Sequence, residues 1–120
     1  MKILVAEDEP IMLKTIALSL RKDGHDVIVA DNGREAMDQI DAHDPDMIIT
    51  DIMMPYSSGL EIVGKVKAAG QRNVPVIILS AMGQENVVVE AFNLGADDYI
   101  TKPFSPNELS MRVKRLSKSA

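Results

Sequence analysis

At 120 residues, 46% of them hydrophobic and 26% charged, the chain reads as one globular domain, residues 1–120, long enough to bury a real core. Its net charge of −5 argues against electrostatic binding to nucleic acid, which rests on Lys and Arg neutralising phosphates. With no Cys, the chain forms no disulfide, thiolate zinc site or thiol nucleophile, which fits a reducing compartment.

The first expected element is a strand over 2–6, where Ile3-Leu4-Val5-Ala6 runs into Glu7-Asp8. A core strand that early leaves no room for a signal peptide. No apolar run approaches the ~20 residues of a membrane span, so a cytoplasmic protein without membrane contact is expected. Pro10 suits the first turn of a helix that carries Leu13, Ile16, Ala17 and Leu20 on one face and ends at Gly24. A second strand follows over 26–30. Asn32 with Glu35 reads as a capping box for a helix with Ala36, Met37 and Ile40 inward.

The third strand, 46–50, leads into Asp51, and Leu60, Val63 and Val66 mark the helix after it. The fourth, 75–79, ends at Ser80, before a helix with Val88, Ala91 and Phe92 inward. The fifth, 98–101, ends at Lys102-Pro103. Ser105, Pro106 and Glu108 then start a last helix with Leu109, Val113 and Leu116 inward. Its basic end, Arg112 to Lys118, suits a helix C-terminus and is not read as a nucleic-acid patch.

Strict β-α alternation implies an α/β fold, a doubly wound five-stranded parallel sheet with five helices and right-handed crossovers. The first, third and fourth strands are continuous hydrophobic runs, as strands covered on both faces should be. If Asp8 and Asp51 meet, strands one and three are neighbours, which gives the flavodoxin-like order 2-1-3-4-5.

Ligands bind outside the carboxyl ends of such strands. Glu7, Asp8, Asp51, Ser80 and Lys102 therefore converge on one crevice. Crowded carboxylates raise each other's pKa unless a cation separates them. A hard cation, Mg²⁺ (or Mn²⁺), needs few protein oxygens because it keeps waters. Asp8 and Asp51 are the expected direct ligands, with Glu7 acting mainly through water and the backbone carbonyl of Met53 as a further oxygen. Asp51 is the candidate nucleophile, able to hold an acyl-phosphate. Lys102 and the metal would offset charge on the phosphoryl oxygens, and Ser80 would donate to one of them. Singly these residues have ordinary explanations. Glu7 and Asp8 could start the first helix, Lys102 could be surface decoration, and Ser80 could satisfy local backbone. The bond before Pro103 is a candidate for cis. His25 and His43 fall away from this edge and are assigned no role.

With these residues assembled, the whole chain resembles a response-regulator receiver domain of two-component signalling. The motifs that carry the resemblance are Ala6-Glu7-Asp8-Glu9, Thr50-Asp51-Ile52-Met53-Met54-Pro55, Leu79-Ser80-Ala81 and Gly95 to Phe104. The resemblance implies that Asp51 takes a phosphoryl group from a sensor histidine kinase, with Mg²⁺ bound. It implies that Ser80 and Tyr99 form a switch pair that changes the surface of helix four, strand five and helix five. The only chemistry it implies is the domain's own phosphorylation and slow autodephosphorylation, so the chain is not expected to be an enzyme. It also places Met53 and Met82 over the route of the attacking water.

The stretch from Gly95 to Leu109 is similar to regulators with a C-terminal winged-helix DNA-binding domain. An excised receiver is the expected reading, and a stand-alone receiver acting by protein contact or phosphoryl relay is the alternative. Two departures stand out. The loop Pro55-Tyr56-Ser57-Ser58-Gly59 lacks the family's usual Gly after Pro, and Tyr56 puts an aromatic beside the site. On the expected dimer face, Val88 takes a customarily basic place opposite Glu108, while Asp98 and Arg112 keep a customary pair. Homodimerisation on activation is therefore expected to rest partly on apolar contact through Val87 and Val88.

Two rivals fail on residues. A phosphatase of the haloacid-dehalogenase type needs an acid two places after the nucleophile, where this chain has Met53. A flavin-binding module needs a glycine-rich phosphate cradle, where this chain has Glu7-Asp8-Glu9.

Overall fold

The computed structural model describes residues 1–56, 58–68 and 73–117. Ser57 of the Pro55–Gly59 loop and Lys118 of the basic tail lie outside the described residues. The element order is β1 (Lys2–Ala6), α1 (Pro10–Lys22), β2 (Asp26–Ala30), α2 (Gly33–His43), β3 (Met47–Asp51), α3 (Gly59–Val66), β4 (Val76–Ser80), α4 (Glu85–Asn93), β5 (Asp98–Thr101) and α5 (Pro106–Ser117). All strand pairs are parallel, in the order β2-β1-β3-β4-β5. The expected fold and strand order are those observed.

Alternation along the strands sends side chains to two cores. Leu4, Ile48 and Ile78 face α2, α3 and α4 together with Ala36, Ile62, Val63 and Val88. Ile3, Val5, Ile49 and Ile77 face α1 and α5, meeting Ile16, Leu20, Leu109 and Val113. β1, β3 and β4 are buried along nearly their whole length, which is why they read as unbroken apolar runs.

Local chemistry fixes the helix ends. The Asn32 side chain accepts from the Glu35 N–H at 2.9 Å. Ser58 and Glu61 form a reciprocal capping box at α3. Ser105 accepts from the Glu108 N–H at 3.1 Å. The α1 cap is Glu9, whose carboxylate accepts from Ile11 and Met12 N–H. Glu9, not Glu7 or Asp8, therefore starts that helix, and both acids are free for the sheet edge.

Three expectations need correction. β3 and β4 each sit one residue later than expected, because pairing of Asp51 with Leu79 extends the ladder, so Asp51 and Ser80 are the last strand residues. Phe92 does not join the inner face of α4; it is 40% exposed and packs edge-to-face on Tyr99 at 5.8 Å. Val88 is 8% exposed and belongs to the core, so it adds no apolar surface to α4; the exposed valine there is Val89, at 58%.

Candidate functional site

Each strand end delivers one component. β1 hands off to Glu7, whose N–H still bonds Ala30 O at 3.1 Å, and this holds Glu7 as rigidly as a strand residue. β3 ends on Asp51, and the next N–H, of Ile52, bonds Leu79 O at 3.0 Å. β5 runs into Lys102, whose N–H donates to Ser80 O at 2.7 Å. The Lys102–Pro103 bond is cis.

These tethers bring the charges together. Lys102 Nζ lies 2.7 Å from Glu7 Oε1 and 2.9 Å from Asp51 Oδ2. Glu7 is fully buried and Asp51 is nearly so. Asp8 is exposed at the rim. Oxygens of Glu7, Asp8 and Asp51 lie within 4.8 Å of one another. The Met53 N–H donates weakly to Asp51 Oδ1, at 3.4 Å. Glu7 Oε2 accepts from the Glu9 N–H at 3.1 Å.

Burial pushes the Glu7 carboxyl up to about 7; Lys102 opposes this and the Asp51 charge adds to it. Burial alone would pull the Lys102 ammonium down, but the carboxylates of Glu7 and Asp51 outweigh it and raise it. The expectation that crowded carboxylates raise one another holds for Glu7.

A divalent cation fits this arrangement on two counts. Once Glu7 is ionised, three carboxylates against one ammonium leave an excess of two negative charges, the charge of one such ion. Glu7 Oε1 is buried with an ion-pair contact to Lys102 but no aligned hydrogen-bond donor, so an acceptor is left over in the cluster. All-oxygen carboxylate ligands suit Mg²⁺ or Mn²⁺ rather than a softer metal.

Other expected residues fall as follows. Ser80 is buried at the end of β4, one place beyond the partner of Asp51. Tyr99 is 42% exposed and leans on Phe92 rather than on the acids. Met53 and Met82 are 53% and 83% exposed, so neither packs into the core. On the α4-β5-α5 face, Asp98 pairs with Arg112 of its own chain at 2.7 Å and with Arg115 at 2.9 Å. Glu108 pairs with Arg112 at 3.4 Å, one turn along the same helix, so its place opposite Val88 is not used.

Sequence reasoning missed Arg115, whose helical spacing of three from Arg112 could have signalled it. It also missed Asp97. That carboxylate accepts from the Val76 N–H at 2.8 Å and pairs with Lys67 at 2.9 Å, pinning the start of β4 to the turn before β5. Gly59, a loop residue by sequence, is the first residue of α3. A Cβ there would stand 2.6 Å from Asp51 O and 2.8 Å from Ile52 Cα, so α3 starts directly against the backbone that carries Asp51.

Comparison with known proteins places the chain in a family. The family model described as the response regulator receiver domain matches residues 3–114. The chain is 38% identical over 115 residues to the alkaline phosphatase synthesis transcriptional regulatory protein PhoP of Bacillus subtilis (strain 168), a match covering 96% of this chain and 48% of that protein. The chain thus spans about half the length of that curated relative. Among solved structures, the receiver domain of the Francisella response regulator 1452 is 39% identical with a TM-score of 0.88, covering 98% of this chain and 97% of that one. The chemotaxis response regulator CheY4 of Vibrio cholerae is 29% identical with a TM-score of 0.86, covering 95% and 96%. The chain therefore belongs to the response-regulator receiver domains, the phosphorylation-based signalling modules of two-component systems.

Proposed function

We propose that this domain is a switch set by phosphorylation of Asp51, with a sensor histidine kinase as phosphoryl source. The observation that carries the reading is Lys102 Nζ bridging Glu7 and Asp51, with the Asp8 carboxylate in the same cluster. An Asp51 carboxylate oxygen attacks phosphorus. The P–N bond of the donor phosphohistidine breaks, and its electron pair leaves with the imidazole. Mg²⁺ or Mn²⁺, held by Asp8, Asp51, Glu7 and the Met53 carbonyl, would supply positive charge for the transferring oxygens. Lys102 neutralises a further oxygen, and Ser80 donates a hydrogen bond once it moves toward the group. Tyr99 follows by turning inward from Phe92. The domain acts only on its own phosphoryl group and is not otherwise an enzyme.

The output we infer is transcriptional, through a C-terminal DNA-binding domain. Support comes from the regulator PhoP, of which this chain matches about half. The stand-alone alternative has its own support in CheY4, nearly all of whose chain this domain covers. Self-association on activation would use α4, β5 and α5, where Val89 and Phe92 of α4, Leu94 just after it, Tyr99 of β5 and Met111 of α5 are exposed apolar groups. No helix among the described residues is long and apolar enough to cross a membrane, and we place the switch in the cytoplasm.

The test is intact mass after incubation with a small phosphodonor such as acetyl phosphate. One phosphoryl group should be gained with Mg²⁺ and none in chelator. An equal gain by Asp51→Asn would refute the assignment.

A further inference from the structure

The loop between β4 and α4 is closed by one side chain. Gln84 Oε1 accepts from the Ala81 N–H at 2.6 Å. Gln84 is also the residue before α4, where a side chain ordinarily caps the first free N–H groups. It makes no side-chain cap; only its backbone carbonyl enters the helix, accepting from Val87 and Val88. The side chain is committed to Ala81 at the expense of the helix end.

Ala81 directly follows Ser80 at the carboxyl edge of β4, beside the strand that carries Asp51. Its N–H lies at that edge beyond the strand, with Gln84 as its acceptor. A phosphoryl group on Asp51 brings three acceptor oxygens and about two negative charges. Lys102 is already divided between Glu7 and Asp51, and the Met53 N–H is spent weakly on Asp51. Even with the metal, Lys102 and the Ser80 hydroxyl each serving one oxygen, a phosphoryl oxygen can accept more than one hydrogen bond, and the neighbouring Ala81 N–H is held only by a neutral acceptor. A phosphoryl oxygen is a stronger acceptor than an amide carbonyl. Between Ala81 and Gln84 lie Met82, which is exposed, and Gly83 at φ +89, so nothing in the loop packs tightly enough to oppose its movement.

We propose that Gln84 is a latch on the Ala81 N–H: it holds the β4–α4 loop in the unphosphorylated arrangement and sets how tightly a phosphoryl group on Asp51 is received. This rests on Asp51 being the phosphoacceptor. Gln84 is a positioning residue and touches no reacting atom. Release frees its side chain to cap α4, which couples the site to the helix that carries Val89 and Phe92.

The full chain is titrated with beryllofluoride, a phosphoryl mimic, at saturating Mg²⁺, while the Ala81 amide is followed by NMR. Gln84→Ala removes the competing acceptor. Gln84→Ser removes it too and supplies a helix cap, which protects against loss of the fold. Both should bind the mimic about two- to tenfold tighter, the range expected for freeing one hydrogen bond. Gln84→Glu offers a charged, stronger acceptor and should bind it more weakly. Mg²⁺ affinity without the mimic should be the same in all four proteins. Unchanged or weaker mimic binding in both the Ala and Ser variants would overturn the latch alone. If wild type itself takes no mimic, the reading of Asp51 falls, and the latch falls with it.

Discussion

Two glycines of α3 offer a matched experiment on how the site is seated. At Gly59 a Cβ would meet Asp51 O at 2.6 Å and Ile52 Cα at 2.8 Å, both backbone atoms that cannot swing away. At Gly64, in the same helix, a Cβ meets nothing within 4 Å. Replacing each by Ala thus adds one methyl to one helix in opposite circumstances. At Gly64 the substitution should stabilise by up to ~1 kcal/mol, the helix preference of Ala over Gly. At Gly59 the added carbon forces α3 away from β3, at the ~1–3 kcal/mol typical of overpacking. The Gly59 N–H to Ile52 O bond, 2.9 Å long, lies in the path of that shift and adds to the loss. Urea unfolding in chelator should therefore separate the two variants by about 1–4 kcal/mol, the sum of the two effects. Because the shift begins at the backbone of Asp51, Gly59→Ala should also weaken Mg²⁺ binding, whereas Gly64→Ala should not. If Gly59→Ala is as stable as wild type and binds Mg²⁺ equally well, α3 does not constrain the acid cluster.

Three further outcomes are expected. Asp8→Asn should weaken Mg²⁺ or Mn²⁺ binding at least tenfold, since a cluster of few protein ligands loses both charge and geometry; amide shifts on titration would report it, and equal affinity would remove Asp8 from the ligand set. The folded Glu7 carboxyl titrates near 7, above its ordinary 4.5, so the folded state holds the extra proton across that window and its metal-free stability should fall as pH rises from 4.5 to 7. Urea midpoints at pH 5 and 8 should show this slope reduced in Glu7→Gln and in wild type saturated with Mg²⁺; an identical slope in Glu7→Gln would discount Glu7 as its source. Met53 and Met82 are exposed and offer an attacking water only a weak acceptor, so Met53→Asn or Met82→Lys should shed the phosphoryl group several-fold faster at fixed Mg²⁺; unchanged rates in both would leave the two methionines without a shielding role.

The parts legible in the sequence are those where local pattern and topology coincide. The acids, Ser80 and Lys102 each follow an apolar run, and a parallel sheet has no other place for such ends than one shared edge. The caps at Asn32 and Ser105 are equally legible, since a capping bond spans three residues. What could not be read depends on helical phase and on contacts far apart in the chain. Val88 and Val89 are adjacent and chemically identical, yet one lies in the core and the other in solvent. Only the position of α4 on the sheet decides between them. The Asp98–Arg112 pair was anticipated, but Arg115 shares that carboxylate, a three-way geometry that pairwise spacing does not reveal. Gln84 has no signature at all, because an amide before a helix is an ordinary residue until its partner is known.

The turn from β3 to α3 separates two demands that a glycine can answer. Tyr56 sits at φ 74, in the left-handed region where a side chain costs of order 1–3 kcal/mol and where the family's usual glycine would sit without strain. The chain tolerates it because the Tyr56 side chain is 81% exposed, so the demand is conformational only and no atom blocks the ring. The flanking backbone holds the turn in place: Pro55 O accepts from the Gly33 N–H at 3.1 Å, and the Gly59 N–H reaches Ile52 O. At Gly59 the demand is for space, set by the carbonyl of Asp51 itself, and no larger residue can meet it by accepting strain. A conformational requirement can be traded against stability elsewhere; a steric one against fixed backbone cannot. This explains why the chain departs from the family pattern at 56, where a departure costs only strain, and keeps its glycine at 59, where the backbone of Asp51 is seated.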